Sequence, residues 1–259
     1  MTHEKMITEF RVDLLCVRVF ADRDSMGKAA ALDVSEEIKR ALNLKGDINM
    51  IFAAAPSQNE LLNQLSAARD IMYPRITAFH MDEYIGLADD AEQRFGNFLK
   101  QRLFARVHFK QVHLLQPSDR DPEEECRRYS SLLKDITIDI VCMGIGENGH
   151  LAFNDPYVAD FSDPLLVKVV ELDEQCRRQQ VHDKCFPCLE QVPARAITLT
   201  IPAVFSAKFV CCVVPGRSKA EAVENALTKE IAPTYPASIL RRHPHAILFL
   251  DRESAARAL

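Results

Sequence analysis

Short apolar runs rich in β-branched residues alternate along the chain with longer stretches whose apolar positions recur every three or four residues. The runs predict strands over residues 14–20, 48–54, 76–80, 112–115, 138–144, 167–172, 196–201, 209–214 and 246–250. The longer stretches predict helices over 25–42, 58–72, 96–104, 122–134, 218–227 and 237–241. Strands that are apolar throughout are buried on both faces, so the alternation predicts an α/β fold with a mostly parallel sheet between helical layers. No repeat or flexible linker divides the chain, and one domain over 1–259 is expected.

The stretch 157–193 breaks the pattern, with a polar centre between two strand candidates that is long for a crossover. A lid over a site and a plain exposed helix both fit it. In open parallel sheets ligands sit beyond the carboxyl ends of the strands, where the strand order reverses. The residues just after each strand are therefore where chemistry is expected.

Composition narrows the class. Of 259 residues 47% are hydrophobic and 27% charged, which excludes disorder and supplies a full core. The net charge of −5, with scattered lysines and arginines, excludes a nucleic-acid surface, because phosphate backbones require a concentrated basic face. A small phosphorylated ligand needs only two or three placed cations and stays open. No apolar run reaches the ~20 residues of a membrane span, and the first residues lack the apolar segment of a secretory leader. The expectation is a cytoplasmic protein without a membrane partner.

Four of the eight cysteines, Cys16, Cys142, Cys211 and Cys212, fall inside apolar segments and read as buried thiols. His182, Cys185 and Cys188 have half the spacing of a metal site without a second pair, so no metal is expected. Glycine is scarce, eight where average usage of about 7% would give roughly eighteen. Three of the eight, Gly144, Gly146 and Gly149, fall within six residues.

Four segments follow strands and carry functional groups. MDEYIGL (81–87) places two acids after a buried strand, with Asp82 as candidate base and Glu83 beside it. The same acids could instead cap a helix or pair with arginines. GIGENGHLAFNDP (144–156) ends a strand in a glycine turn that presents His150, with Asn148 and Gly149 before it and Asp155 after it. A carboxylate beside an imidazole fixes its tautomer and suits a proton shuttle. This run is no dinucleotide fingerprint, since the last required glycine is replaced by Leu151. PGRSKAEAV (215–223) puts Lys219 in the first turn of a helix that Ser218 would cap, an unfavourable place for a cation unless an anion binds there. In AAAPSQNE (53–60), Ser57 and Glu60 match a capping box, and the free N–H groups around Ala55 and Ser57 suit either a phosphate or a plain helix start.

In this order the four segments resemble the glucosamine-6-phosphate deaminase (isomerase) family, within the group that also contains 6-phosphogluconolactonases. The resemblance runs from about 48 to 251. It implies a Rossmann-like three-layer fold of the deaminase type and aldose–ketose isomerisation with deamination of glucosamine or galactosamine 6-phosphate. No cofactor is implied. By the same resemblance Asp82 moves the proton between C2 and C1, His150 opens the sugar ring and Asp155 orients it. Lys219 and the Ala55–Ser57 loop would hold the phosphate.

The chain departs from the family in three places. It has Asn148 where some members have aspartate. Asp155 replaces the usual glutamate and is one methylene shorter, so a looser or water-bridged contact to His150 is expected. Ala53–Ala54–Ala55 stands where the family has a glycine-rich phosphate loop, and Arg177, Arg178 and Gln180 compete for the phosphate-gripping place in the lid, with Arg178 the chosen candidate. A lactonase is the alternative, disfavoured because lactonases read D-E-R where this chain has Asp82-Glu83-Tyr84. A non-catalytic sugar-phosphate sensor is a third, although a sensor has no need of Asp82. The sequence leaves a homo-oligomer open.

Overall fold

The computed structural model describes residues 5–117 and 121–259; the first four residues, which were part of the search for a leader, lie outside it. The strands are β1 (Met6–Val12), β2 (Leu15–Phe20), β3 (Ile48–Phe52), β4 (Ile76–His80), β5 (Asp82–Tyr84), β6 (Gln111–His113), β7 (Ile140–Met143), β8 (Val167–Glu171), β9 (Arg195–Leu199), β10 (Phe209–Val214) and β11 (Ala246–Asp251). The α-helices are α1 (Arg23–Lys45), α2 (Asn59–Ala67), α3 (Phe95–Leu99), α4 (Pro122–Leu133), α5 (Glu174–His182), α6 (Ile201–Phe205) and α7 (Ala220–Thr228).

Eight strands form one sheet in the order β1-β2-β11-β10-β7-β3-β4-β6. Every pairing in it is parallel except the β1–β2 hairpin. Both faces are buried, which is why these strands read as unbroken apolar runs. In β10, Phe209, Cys211 and Val213 enter one core, packed with Met26, Ala30 and Val34 of α1 and Leu61 and Leu65 of α2. Val210, Cys212 and Val214 enter the other, with Tyr129 of α4, Val204 of α6 and Val223 of α7.

Two strands expected in the parallel sheet belong elsewhere. β8 and β9 pair antiparallel with each other, and β9 pairs antiparallel with β5, making a separate three-stranded sheet. Periodicity cannot reveal this, because a short buried strand looks the same in either sheet. The acids of MDEY are themselves the strand β5, with Asp82 opposite Thr198 and Glu83 opposite Ile197. The hairpin strand β1 was not expected from the sequence, being half exposed and interrupted by charges.

Chain order in the main sheet runs outward from β3 through β4 to β6, then returns to β7 and proceeds the other way through β10 and β11. The reversal lies between β3 and β7, the place where such sheets bind ligands. There the chain leaves β3 into residues 53–58 and β7 into the glycine turn 144–150. Among the described residues no helix is long and apolar enough to cross a membrane.

Candidate functional site

A cavity of about 220 Å³ opens at this reversal. Four strand ends supply its wall: Ala53–Gln58 after β3, Met81 and Asp82 after β4, Gly144–Gly146 with His150 after β7, and Pro215–Lys219 after β10. Gln179, Gln180 and Asp183, at the end of α5, close the side formed by segment 157–193.

Asp82 is 7% exposed, and among the described residues nothing donates a hydrogen bond to its carboxylate. Burial, reinforced by the neighbouring Glu83, pushes its pKa well above the ordinary carboxylate value. A desolvated carboxyl without partners, facing a cavity, is poised to take and return a proton.

Glu83 alternates to the opposite side of β5 and lies outside this cavity wall. Its oxygens accept the N–H groups of Tyr84 (3.0 Å), Phe95 (3.1 Å) and Gly96 (3.0 Å), and Arg94 stands 3.6 Å away. The substrate-binding place expected for Glu83 is therefore corrected: it pins the start of α3 behind the site. Strand alternation sends one acid forward and the next back.

His150 sits in a tight turn held by Gly146 N–H donating to the His150 carbonyl at 3.0 Å and Gly149 N–H to that of Gly146 at 3.0 Å. Gly149 has φ +87°, a left-handed conformation that favours glycine, and lies outside the cavity wall. His150 Nδ1 lies 2.8 Å from Asn148 Oδ1 and 3.1 Å from Asp155 Oδ1. Both partners are acceptors, so Nδ1 carries the proton and Nε2 is left as the basic nitrogen, a tautomer assigned from this network. Asn148 also donates to Asp155 Oδ1 at 2.8 Å, and the Asp173 N–H reaches Oδ2 at 3.3 Å.

Burial alone would raise the Asp155 pKa, but the hydrogen bonds from His150, Asn148 and Asp173 outweigh it and hold the carboxyl below its usual value. The looser or water-bridged contact expected of the shorter side chain is not what the structure has. The turn Leu151–Asn154, with Ala152 at φ +49°, is cross-tied by Asn154 to the Leu151 and Leu199 carbonyls and brings Asp155 into direct contact with the ring.

Lys219 is 5% exposed, and its ammonium is buried without a hydrogen-bond partner among the described residues. Burial lowers its pKa, against the raising influence of Asp183, Glu147 and Cys176. A buried ammonium without a hydrogen-bond partner, lining a cavity, is costly until an anion arrives to pair with it. On the facing loop the N–H groups of Ala54 and Ala55 have no partner among the described residues.

Other expectations need correction. Neither Ser57 nor Ser218 caps a helix, since no side-chain cap bond precedes α2 or α7. A short 3-10 turn precedes each helix and takes over its start. Glu60 is diverted to Arg23. Arg178 points away, paired with Glu174 one turn earlier on α5 and largely exposed. Arg177 is spent on the Leu189 and Val192 carbonyls. Of the three lid candidates, Gln180 reaches the cavity wall.

His182 is exposed beside Glu147 at 3.5 Å. The convergent metal-capable set among the described residues is instead His150, Asp155 and Cys176, whose ligand atoms lie within 4.8 Å of one another. Burial pushes the Cys176 pKa well up, so it stands there as a neutral thiol.

Sequence reasoning missed Arg23, which lines the cavity from the first residue of α1. No local signal marks it, because it lies some thirty residues before the loop it adjoins.

Comparison with known proteins identifies the family. Residues 21–248 match the family described as glucosamine-6-phosphate isomerases/6-phosphogluconolactonase. A glucosamine-6-phosphate deaminase of Bacillus pumilus is 31% identical over 242 residues, covering 92% of this chain and 97% of the relative. One from an Exiguobacterium species is 38% identical over 182 residues, 70% of each chain. The solved structure of a monomeric glucosamine-6-phosphate deaminase superposes with a TM-score of 0.84 at 30% identity, covering 93% of this chain and 99% of that one. A 6-phosphogluconolactonase from Thermotoga maritima shares the fold, at TM-score 0.74 and 18% identity, with 92% and 99% covered. From the strand-end cavity to the sequence match over 21–248, the chain belongs to the glucosamine-6-phosphate isomerase/6-phosphogluconolactonase family.

Proposed function

We propose that the cavity converts an aminosugar 6-phosphate, glucosamine 6-phosphate foremost, with water to the ketose 6-phosphate and ammonia. The observation that carries this is one cavity holding a base without partners, an oriented imidazole and an unpaired ammonium: Asp82, His150 and Lys219.

The phosphate pairs with Lys219 and takes the free N–H groups of the 53–57 loop, which places the sugar carbons toward Asp82. His150, its Nδ1 proton committed to Asn148 and Asp155, uses Nε2 to move the anomeric hydroxyl proton to the ring oxygen and open the pyranose. Asp82 then takes the C2 proton and delivers it to C1 through an enolamine. The resulting ketimine adds water and expels ammonia. A carboxyl whose pKa is raised by burial suits this two-way transfer, because neither protonation state is too stable to leave.

Ring opening needs room, and α5 supplies the movable wall. The segment 157–193 then acts as a cover that closes over the bound sugar within one domain. The eight free cysteines fit a reducing, cytoplasmic setting. The likeness to a monomeric deaminase supports a monomer over a homo-oligomer.

Incubation of the purified protein with glucosamine 6-phosphate, galactosamine 6-phosphate and 6-phosphogluconolactone separates the alternatives. Ammonia from an aminosugar phosphate is the expected result. Loss of lactone without ammonia would establish the hydrolase instead, and no turnover of any of the three would leave a binding protein.

A further inference from the structure

The loop that carries the phosphate in this reading is built from Ala53, Ala54 and Ala55, whose side chains restrict close approach of backbone to ligand. The lid contributes Gln179 and Gln180 to the cavity wall in place of an arginine. The cations that do line the cavity are Lys219, after β10, and Arg23, at the start of α1.

Arg23 is held for this position by a chain of contacts. Its Nε donates to Glu60 Oε1 at 2.7 Å, and one Nη donates to the Pro56 carbonyl inside the loop. Glu60 reaches it because α1 and α2 pack closely at Gly27, where a β-carbon would stand 2.3 Å from the Glu60 β-carbon. Asp22 fixes the first turn of α1 by accepting the Ser25 N–H at 2.8 Å. The guanidinium presents five donors in a rigid fork, so these two bonds leave donors over for an anion at the cavity.

We propose that Arg23 is a second phosphate-binding cation of this site, reaching the substrate's phosphate from the start of α1 while Lys219 reaches it from the turn after β10. It adds a charged contact where the lid offers Gln179 and Gln180. Arg23 touches the phosphate rather than the reacting carbons, so it acts on substrate affinity. The proposal rests on the aminosugar-phosphate reading of the cavity.

The test uses the whole protein and Arg23→Ala, Arg23→Gln and Arg23→Lys, with inorganic phosphate as a probe independent of turnover. With glucosamine 6-phosphate, Arg23→Ala is expected to raise KM about tenfold or more while kcat falls much less. The dissociation constant of inorganic phosphate, by calorimetry, should rise in parallel, and Arg23→Lys should recover part of both. Arg23→Gln keeps a donor for the Pro56 carbonyl but no charge, so it serves if the alanine variant is unstable; it should behave as alanine does.

Unchanged KM and unchanged phosphate affinity in folded Arg23→Gln would overturn the proposal and leave Arg23 as a tie between α1 and α2. If the wild-type protein releases no ammonia, the functional reading fails, and the calorimetric comparison still decides whether Arg23 binds phosphate.

Discussion

A β-carbon on Gly146 would stand 2.2 Å from Cε1 and 2.4 Å from Nδ1 of His150, well inside contact distance. The imidazole lies flat against the backbone of the turn that presents it, and the missing side chain is what makes room. Gly144 serves a neighbouring need, since a β-carbon there would crowd the Val213 carbonyl at 3.2 Å and Gln58 at 3.1 Å.

Gly146→Ala therefore forces the His150 ring out of its contact with Asn148 and Asp155. Because Gly146 itself has no positive φ, the backbone tolerates alanine and the damage falls on the ring. We expect kcat with glucosamine 6-phosphate to fall at least about tenfold, with the fold retained by circular dichroism. Wild-type turnover would mean that the ring orientation does not matter to the chemistry.

Asp82→Asn should abolish turnover while retaining affinity for the sugar phosphate. It should also raise the melting temperature at pH 7. Burial favours the protonated carboxyl in the fold, so the stability this group contributes is fully present below its unfolded value of 3.8 and is lost as pH rises through the raised folded value. Asparagine carries no such penalty. The gain over wild type should shrink toward pH 4, and a melting temperature below wild type at pH 7 would contradict the buried, unpartnered carboxylate.

Asp155 has the opposite sign. Its folded pKa lies below 3.8, so its contribution is present above that value and is lost as pH falls through the lower folded one. Asp155→Asn should cost stability at neutral pH, with the difference from wild type narrowing in acid. It should lower kcat more than it raises KM, because it acts through the His150 ring. An equal loss at pH 3 and pH 7, followed by chemical denaturation, would remove the charge of Asp155 from the account.

Lys219→Met should raise KM for the sugar phosphate by about tenfold to a hundredfold with a smaller effect on kcat. Without ligand it should not destabilise the protein, because the ammonium it removes is buried and unpaired. A large loss of stability without ligand, at unchanged KM, would make Lys219 a structural cation.

Periodicity and punctuation were enough to determine the layered α/β architecture. β4 (Ile76–His80) and β10 (Phe209–Val214) have the bounds expected from the sequence. A doubly buried strand needs an unbroken apolar run, and that need is local. The motif residues Asp82, His150, Asp155 and Lys219 were legible for the same reason: each follows a strand, and strand ends form the binding edge of such a sheet.

What only the tertiary structure decided concerns side chains brought together across large separations. The second sheet, which turns Asp82 toward the cavity and Glu83 away from it, depends on pairing with β9, more than a hundred residues later. Glu60 leaves its expected cap for Arg23, thirty-seven residues earlier, because the packing at Gly27 puts α1 against α2. Local spacing sets which residues stand at a strand end. Long-range packing sets which of them face one another, and it places Arg23 beside the loop that lacks glycine.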